Sequence, residues 1–198
     1  MQYIAHRVNK LDELQALSPA YGVELDLRDS VDGTLYINHD PFVLGESFEE
    51  YLKHYHHGTM ILNVKSERIE HQILEALKPY PEINYFFLDC SFPMIKLLSD
   101  MGERKIALRF SEFEGMETLK VMAGKVDWVW VDCFTYLPLD QTIFDEIKSL
   151  GYKICIVSPE LQGQAEKIEP YAKQIKCLQI DAICTKEYNI DRWKNLLV

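Results

Sequence analysis

The chain has 198 residues, 47% hydrophobic and 26% charged, enough for one globular domain over 1–198 with a full-sized core. Its 31 acidic residues outweigh 21 basic ones, giving a net charge of −10, and no basic tract or basic–aromatic stripe offsets it. Nucleic acid and stable membrane association are thereby excluded as main partners, and no apolar run approaches the ~18 residues of a membrane span.

In chain order, apolar strand-like runs fall at 3–5, 23–27, 60–64, 85–88, 105–110, 128–131, 153–157 and 180–184. Between them lie amphipathic stretches with helical spacing: 47–55, 66–77, 92–98, 116–122, 139–150, 161–175 and 188–197. Eight strands alternating with helices predict an α/β protein with a parallel sheet. The count favours a closed (β/α)8 TIM barrel over an open doubly wound sheet. The chain is short against the ~250 residues of a typical barrel, so its loops and helices must be trimmed. Five cysteines (90, 133, 155, 177 and 184) form no CxxC pair and sit in or close to apolar strand-like runs. Reduced, buried thiols and a start that enters a strand with no signal peptide point to a cytoplasmic protein. Nothing in the spacing identifies an oligomer interface.

The run 22–41 carries the clearest chemistry. Val23, Leu25 and Leu27 alternate with Glu24, Asp26 and Arg28, so both carboxylates project from one face of a strand. Adjacent acids repel unless a positive charge sits between them, and a hard divalent cation with oxygen ligands supplies one. The competing reading is an exposed strand edge. Asp32-Gly33 then makes a turn, and a second strand at 35–37 delivers His39 and Asp40 just before Pro41.

In a barrel the active site lies at the carboxyl ends of the strands. There the sequence places His6-Arg7, Glu24 with Asp26, Asn63-Val64-Lys65, Asp89, Arg109, Asp132, Ser158 and Thr185. The last two are ordinary strand-end hydroxyls; the collective pattern is that of a polar site.

Ile4-Ala-His-Arg7, Val23-Glu-Leu-Asp-Leu-Arg28, Asp32-Gly33 and His39-Asp-Pro41 together resemble the glycerophosphodiester phosphodiesterase family. Leu62-Asn-Val-Lys65, Cys90-Ser-Phe92 and Ile180-Asp-Ala-Ile-Cys-Thr185 extend the likeness along the chain. The resemblance implies that Glu24 and Asp26 are ligands of Mg²⁺ or Ca²⁺. It implies that His6 and His39 are the catalytic acid–base pair and that Arg7 and Lys65 hold the phosphate of a small-molecule phosphodiester. It also implies attack by a neighbouring substrate hydroxyl through a cyclic phosphate, leaving hydrolase and lyase outcomes open. The chemistry of the residues agrees, since an anionic diester needs cationic neutralisation, and two imidazoles suit a displacement in which one proton leaves and another arrives. Arg109 is either a further phosphate ligand or half of an ion pair. Asp89 and Asp132 are extra ligands, substrate-hydroxyl acceptors or groups that orient Lys65 or a histidine.

The departures from the family pattern are specific. Asn63 stands where the resemblance expects a third metal-binding Glu, which weakens hold on a cation. Val8 replaces a glycine, and the substrate-capping insertion after His39-Asp-Pro41 is missing, which leaves an open pocket. Phe42, Trp128, Trp130 and Tyr136 are either core residues or lining of that pocket. His54-Tyr-His-His57 has metal-like density but no acidic partners, and reads as an exposed helix end. Two functions follow from different classes. One is a metal-dependent phosphodiesterase acting on a small polar-alcohol, glycerophosphodiester-like substrate. The other is a non-catalytic barrel that binds a phosphorylated small molecule.

Overall fold

A computed structural model describes residues 1–198. Ten strands form one sheet: β1 (Gln2–Ala5), β2 (Gly22–Asp29), β3 (Leu35–Ile37), β4 (Glu46–Ser47), β5 (Met60–Val64), β6 (Tyr85–Leu88), β7 (Ala107–Phe110), β8 (Trp128–Val131), β9 (Lys153–Val157) and β10 (Ala182–Thr185). Besides β3, the strand expected at 35–37, eight of them are the alternating strands read from the sequence. They run parallel in the order β6-β5-β2-β1-β10-β9-β8-β7, curling round so that β6 and β7 face each other. The helices are α1 (Leu11–Ala16), α2 (Phe48–Lys53), α3 (Glu70–Leu77), α4 (Phe92–Asp100), α5 (Met116–Met122), α6 (Gln141–Ser149), α7 (Ile168–Ile175) and α8 (Ile190–Leu197).

The expected closed barrel is not fully laddered. Across the β6/β7 seam a single parallel bridge, Phe87 with Ile106, joins the two ends of the sheet. Asp89 adopts φ 62 immediately after β6, in the left-handed region disfavoured for non-glycine residues. The sheet is therefore a curled barrel open at one seam.

Alternation along the strands separates two apolar cores. The outward faces, including Val23, Leu25, Leu27, Leu62 and Ile183, pack with the helices in a cluster of 48 buried residues. The inward faces make a second cluster of 11 residues, among them Ile4, Ile61, Phe86, Trp128 and Trp130. Phe86 and Trp128 stack with ring centroids 4.4 Å apart, and the small side chains Ala107, Cys155, Ala182 and Cys184 leave room for these large ones. Trp128 and Trp130 are thus core residues of the barrel interior rather than pocket lining. Gly22 is required where β2 starts, because a Cβ there would meet the Thr59 carbonyl oxygen at 2.5 Å.

The Asp32-Gly33 turn forms as expected, with Gly33 at φ 84 and β3 antiparallel to the end of β2, Leu27 opposite Ile37. The connection onward to α2 is short, as the missing insertion implied, and contains only the two-residue β4. The helix expected at 161–175 is interrupted: Gly163 at φ 77 caps a 3₁₀ turn, a second 3₁₀ turn follows, and α7 begins only at Ile168.

Candidate active site

Glu24 and Asp26 project from β2 into the barrel, each only 1% exposed, so they are not an exposed strand edge. Glu24 accepts hydrogen bonds from the Arg7 backbone N–H (2.7 Å) and from the Asn63 side-chain amide (2.7 Å). Burial first, and the neighbouring Asp26 carboxylate second, raise the Glu24 pKa to about 7. Asp26 is clasped by Asn9, whose amide donates to Oδ2 (2.9 Å) while its carbonyl accepts the Asp26 backbone N–H (3.0 Å). Arg7 Nε and Lys65 Nζ approach the same carboxylate at 3.5 and 3.7 Å.

His6 follows β1 directly and lies over this acidic floor, its Nε2 3.7 Å from Glu24 Oε2. Its Nδ1 is buried and has no hydrogen-bond partner. Burial, then the charges of Lys186, Arg7 and Lys65 and the nearby His39, lower its pKa to about 3. The ring is therefore neutral at physiological pH, and its approach to Glu24 is a contact rather than an ion pair. His39 sits at the end of the hairpin, half-exposed, with Nδ1 2.8 Å from Asp40 Oδ1.

The other candidates form a chain of alternating charge along the strand ends. Lys65 Nζ lies 3.0 Å from Asp89 Oδ2, and Arg109 Nε donates to Asp89 Oδ1 at 2.9 Å. Arg109 also pairs with Asp132, which in turn accepts from Trp130 Nε1 (3.2 Å) and Gln162 Nε2 (3.0 Å). Burial nevertheless raises the Asp132 pKa to about 6, against the pull of Arg109. Arg109 is thus committed to two carboxylates and spans the seam where the backbone ladder lapses.

His6, Arg7, Glu24, Asp26, Asn63, Lys65, Asp89, Arg109 and Asp132 are accordingly joined along the carboxyl ends of the strands, with His39 at their edge. Arg7 and Asp89 hold φ values of 58 and 62, so backbone strain collects at the same place. His54, His56 and His57 do not converge: His54 faces Glu50 at 3.3 Å, while His57 bonds the Leu17 carbonyl at 3.1 Å.

Three residues join the site to which the motifs assign no role. Asn9 is one. Arg28 is another, donating to the carbonyls of His39 (2.7 Å) and Lys65 (3.0 Å) and so tying the hairpin to β5. Lying in period-2 step with Glu24 and Asp26, it carried a readable signal. The third is Lys186. β1 and β10 pair with Ala5 opposite Thr185, which puts Lys186 beside His6, and its backbone N–H is fixed by Glu160 at 3.1 Å. Its ammonium has no carboxylate within 4 Å.

No group of three or more histidine, cysteine or acidic side chains suited to a metal ion is present. What exists is two buried carboxylates and the Asn63 Oδ1, which is buried and unpartnered. Oxygens of this kind suit a hard divalent cation, but Asn63 directs its NH2 and not Oδ1 at Glu24.

A curled, mostly parallel α/β barrel with a polar site at its strand ends is the architecture of many small-molecule enzymes. Two solved structures share the fold at a TM-score of 0.69. One is a glycerophosphodiester phosphodiesterase from Agrobacterium tumefaciens, 15% identical, covering 93% of this chain and 96% of that one. The other is a glycerophosphoryl diester phosphodiesterase from Parabacteroides distasonis, 11% identical, covering 100% and 87%. No family model and no curated protein matches the chain. The chain thus has the fold of the glycerophosphodiester phosphodiesterases, in line with the resemblance its motifs carry.

Proposed function

We propose that this chain is a phosphodiesterase acting on a small phosphodiester, with His6 and His39 as its acid–base pair. The observation that carries the reading is His6: a neutral imidazole with an unpartnered nitrogen, set over two buried carboxylates and faced by Lys186, Arg7 and Lys65. A phosphodiester anion placed among those cations would neutralise them and raise the proton affinity of His6. The ring would then be fitted to take a proton from an attacking hydroxyl as the substrate arrives. His39, hydrogen-bonded to Asp40, would be the second group, returning a proton to the leaving alkoxide. Arg7, Lys65 and Lys186 would hold phosphoryl oxygens, while Arg109 keeps the rim in shape through Asp89 and Asp132.

Glu24, Asp26 and Asn63 Oδ1 would hold a Mg²⁺ or Ca²⁺ ion. When bound, the ion would supply charge neutralisation and orient the non-bridging oxygens. Occupancy would require Asn63 to turn its carbonyl toward the ion and release Glu24. One specific observation favours the second reading, a barrel that binds a phosphorylated small molecule without cleaving it: Asn63 spends its amide on Glu24 and adds no charge to the site.

The test is turnover of bis(p-nitrophenyl) phosphate and a panel of glycerophosphodiesters, each with Mg²⁺, Ca²⁺, Mn²⁺ or EDTA. Metal-dependent cleavage is expected, with His6→Ala and His39→Ala each losing about 10²–10⁴-fold. Cleavage that survives both substitutions would refute the assignment. A large gain from near-zero activity in Asn63→Glu would favour the binding-only reading of the parent chain.

A further inference from the structure

Ser158 and Thr185 stand at the ends of β9 and β10, both fully buried, and a buried hydroxyl must place its proton on an acceptor. Both place it on Glu160. Ser158 Oγ already accepts from the donor-only Trp193 Nε1 at 2.7 Å, so its own proton goes to Glu160 Oε2. Thr185 Oγ1 donates to the other carboxylate oxygen, Oε1, which also accepts the Lys186 backbone N–H at 3.1 Å. Three donors thus converge on one carboxylate, carried by the 3₁₀ turn Pro159–Gln162 directly after β9. Gln162 on the same turn reaches the other way, donating to Asp132 Oδ1 (3.0 Å) and accepting the Cys133 N–H (3.0 Å). The turn is a strut between the ends of β8 and β10.

What the strut positions follows from alternation along β10. Ala182 and Cys184 lie in the inner core and Ile183 in the outer one. Lys186 continues the strand in extended backbone, at φ −65 and ψ 142, so its side chain falls on the inner face in step with Ala182 and Cys184. Thr185 faces the other way, toward Glu160. Glu160 therefore grips β10 from the helix side, and the residue it grips last turns its ammonium into the barrel mouth beside His6. Resting on the phosphodiesterase reading, we propose that Glu160 is a positioning residue for the phosphate contact: it fixes the backbone that presents Lys186 and itself touches no substrate.

The experiment is a double-mutant cycle on turnover of bis(p-nitrophenyl) phosphate by the full chain, combining Glu160→Ala with Lys186→Met. Alone, Glu160→Ala should raise KM about fivefold and leave kcat within about twofold, the split that follows when a contact made equally in ground and transition states is weakened. In the Lys186→Met background it should raise KM no further. Glu160→Gln keeps an oxygen acceptor for the Lys186 N–H, and its KM should stay within about twofold of the parent value. Glu160→Asp keeps the charge but draws the carboxylate back by one methylene. It should reproduce the KM rise, and it carries the cycle if a thermal scan shows that Glu160→Ala does not fold. An equal KM rise in both backgrounds would mark a merely structural role and overturn this inference alone, as would a KM unchanged by the Ala and Asp substitutions. Absence of turnover in the parent chain would overturn it together with the reading on which it rests.

Discussion

At the residue scale the site turns on His6. In the folded chain its pKa is about 3 against an ordinary 6.5, so between those values the unfolded chain binds more protons than the folded one. Stability contributed by this group is complete above pH 6.5 and declines as pH falls toward 3. Urea midpoints measured over that range should therefore fall on acidification, and His6→Gln should flatten the acid limb. An unchanged slope in the variant would remove His6 from the account. Lys186 supports the same environment from β10. Replacing it with Met should raise the His6 titration midpoint in NMR spectra and raise KM about 10-fold through loss of one charge-assisted bond, with Lys186→Arg retaining most of the affinity. Movement of KM without movement of the midpoint would mean that Lys186 does not face His6. The Glu24/Asp26 pair was legible because strand alternation sets residues two apart on one face. Lys186 and Asn9 were not legible, since their place beside His6 and Asp26 depends on pairing between segments more than a dozen residues apart.

At the scale of elements the hairpin of β2 and β3 carries His39, and Arg28 fixes it. One guanidinium holds the carbonyls of Asn38, His39 and Lys65, so it sets a catalytic candidate and a phosphate-binding candidate in one frame. Arg28→Met should cost about 1 kcal/mol by leaving part-buried carbonyls unmatched, and should lower kcat by at least tenfold. Arg28→Lys should not restore the rate, because an ammonium cannot span three acceptors in a planar fork. Full recovery with Lys would mean that charge alone matters. Most helices were legible from their apolar spacing. The stretch 161–175 was not, because its periodicity continues through Gly163 while the backbone there turns left-handed. Two-residue β4 is too short to leave a periodic signal.

At the scale of the whole molecule, the eight barrel strands and their parallel order followed from the alternating pattern, but the completeness of the ring did not, because the lapse of pairing between β6 and β7 leaves no mark in the alternation of apolar residues. Hydrogen exchange should therefore release the amides of β7 before those of β2 and β5, whose ladder runs over five paired positions. Arg109→Met removes the side-chain clamp across that gap and leaves Asp132 buried without its partner. It should destabilise the fold by about 3 kcal/mol and speed exchange at β6 and β7 selectively. Uniform protection around the barrel would count against a weak seam. The seam also divides the chain's labour. β1 through β6 carry both histidines, both buried carboxylates, Asn63, Lys65 and Asp89, whereas the later strands bring Lys186 and the Arg109–Asp132 pair. Gly102, at φ 92 with open space around it, lies on the connection between the two sets. Cleaved there, the protein would yield two half-barrels that meet along β1 and β10 on one side and at the seam on the other. Recovery of the site on mixing them would be complementation between a half that holds the chemistry and a half that shapes it.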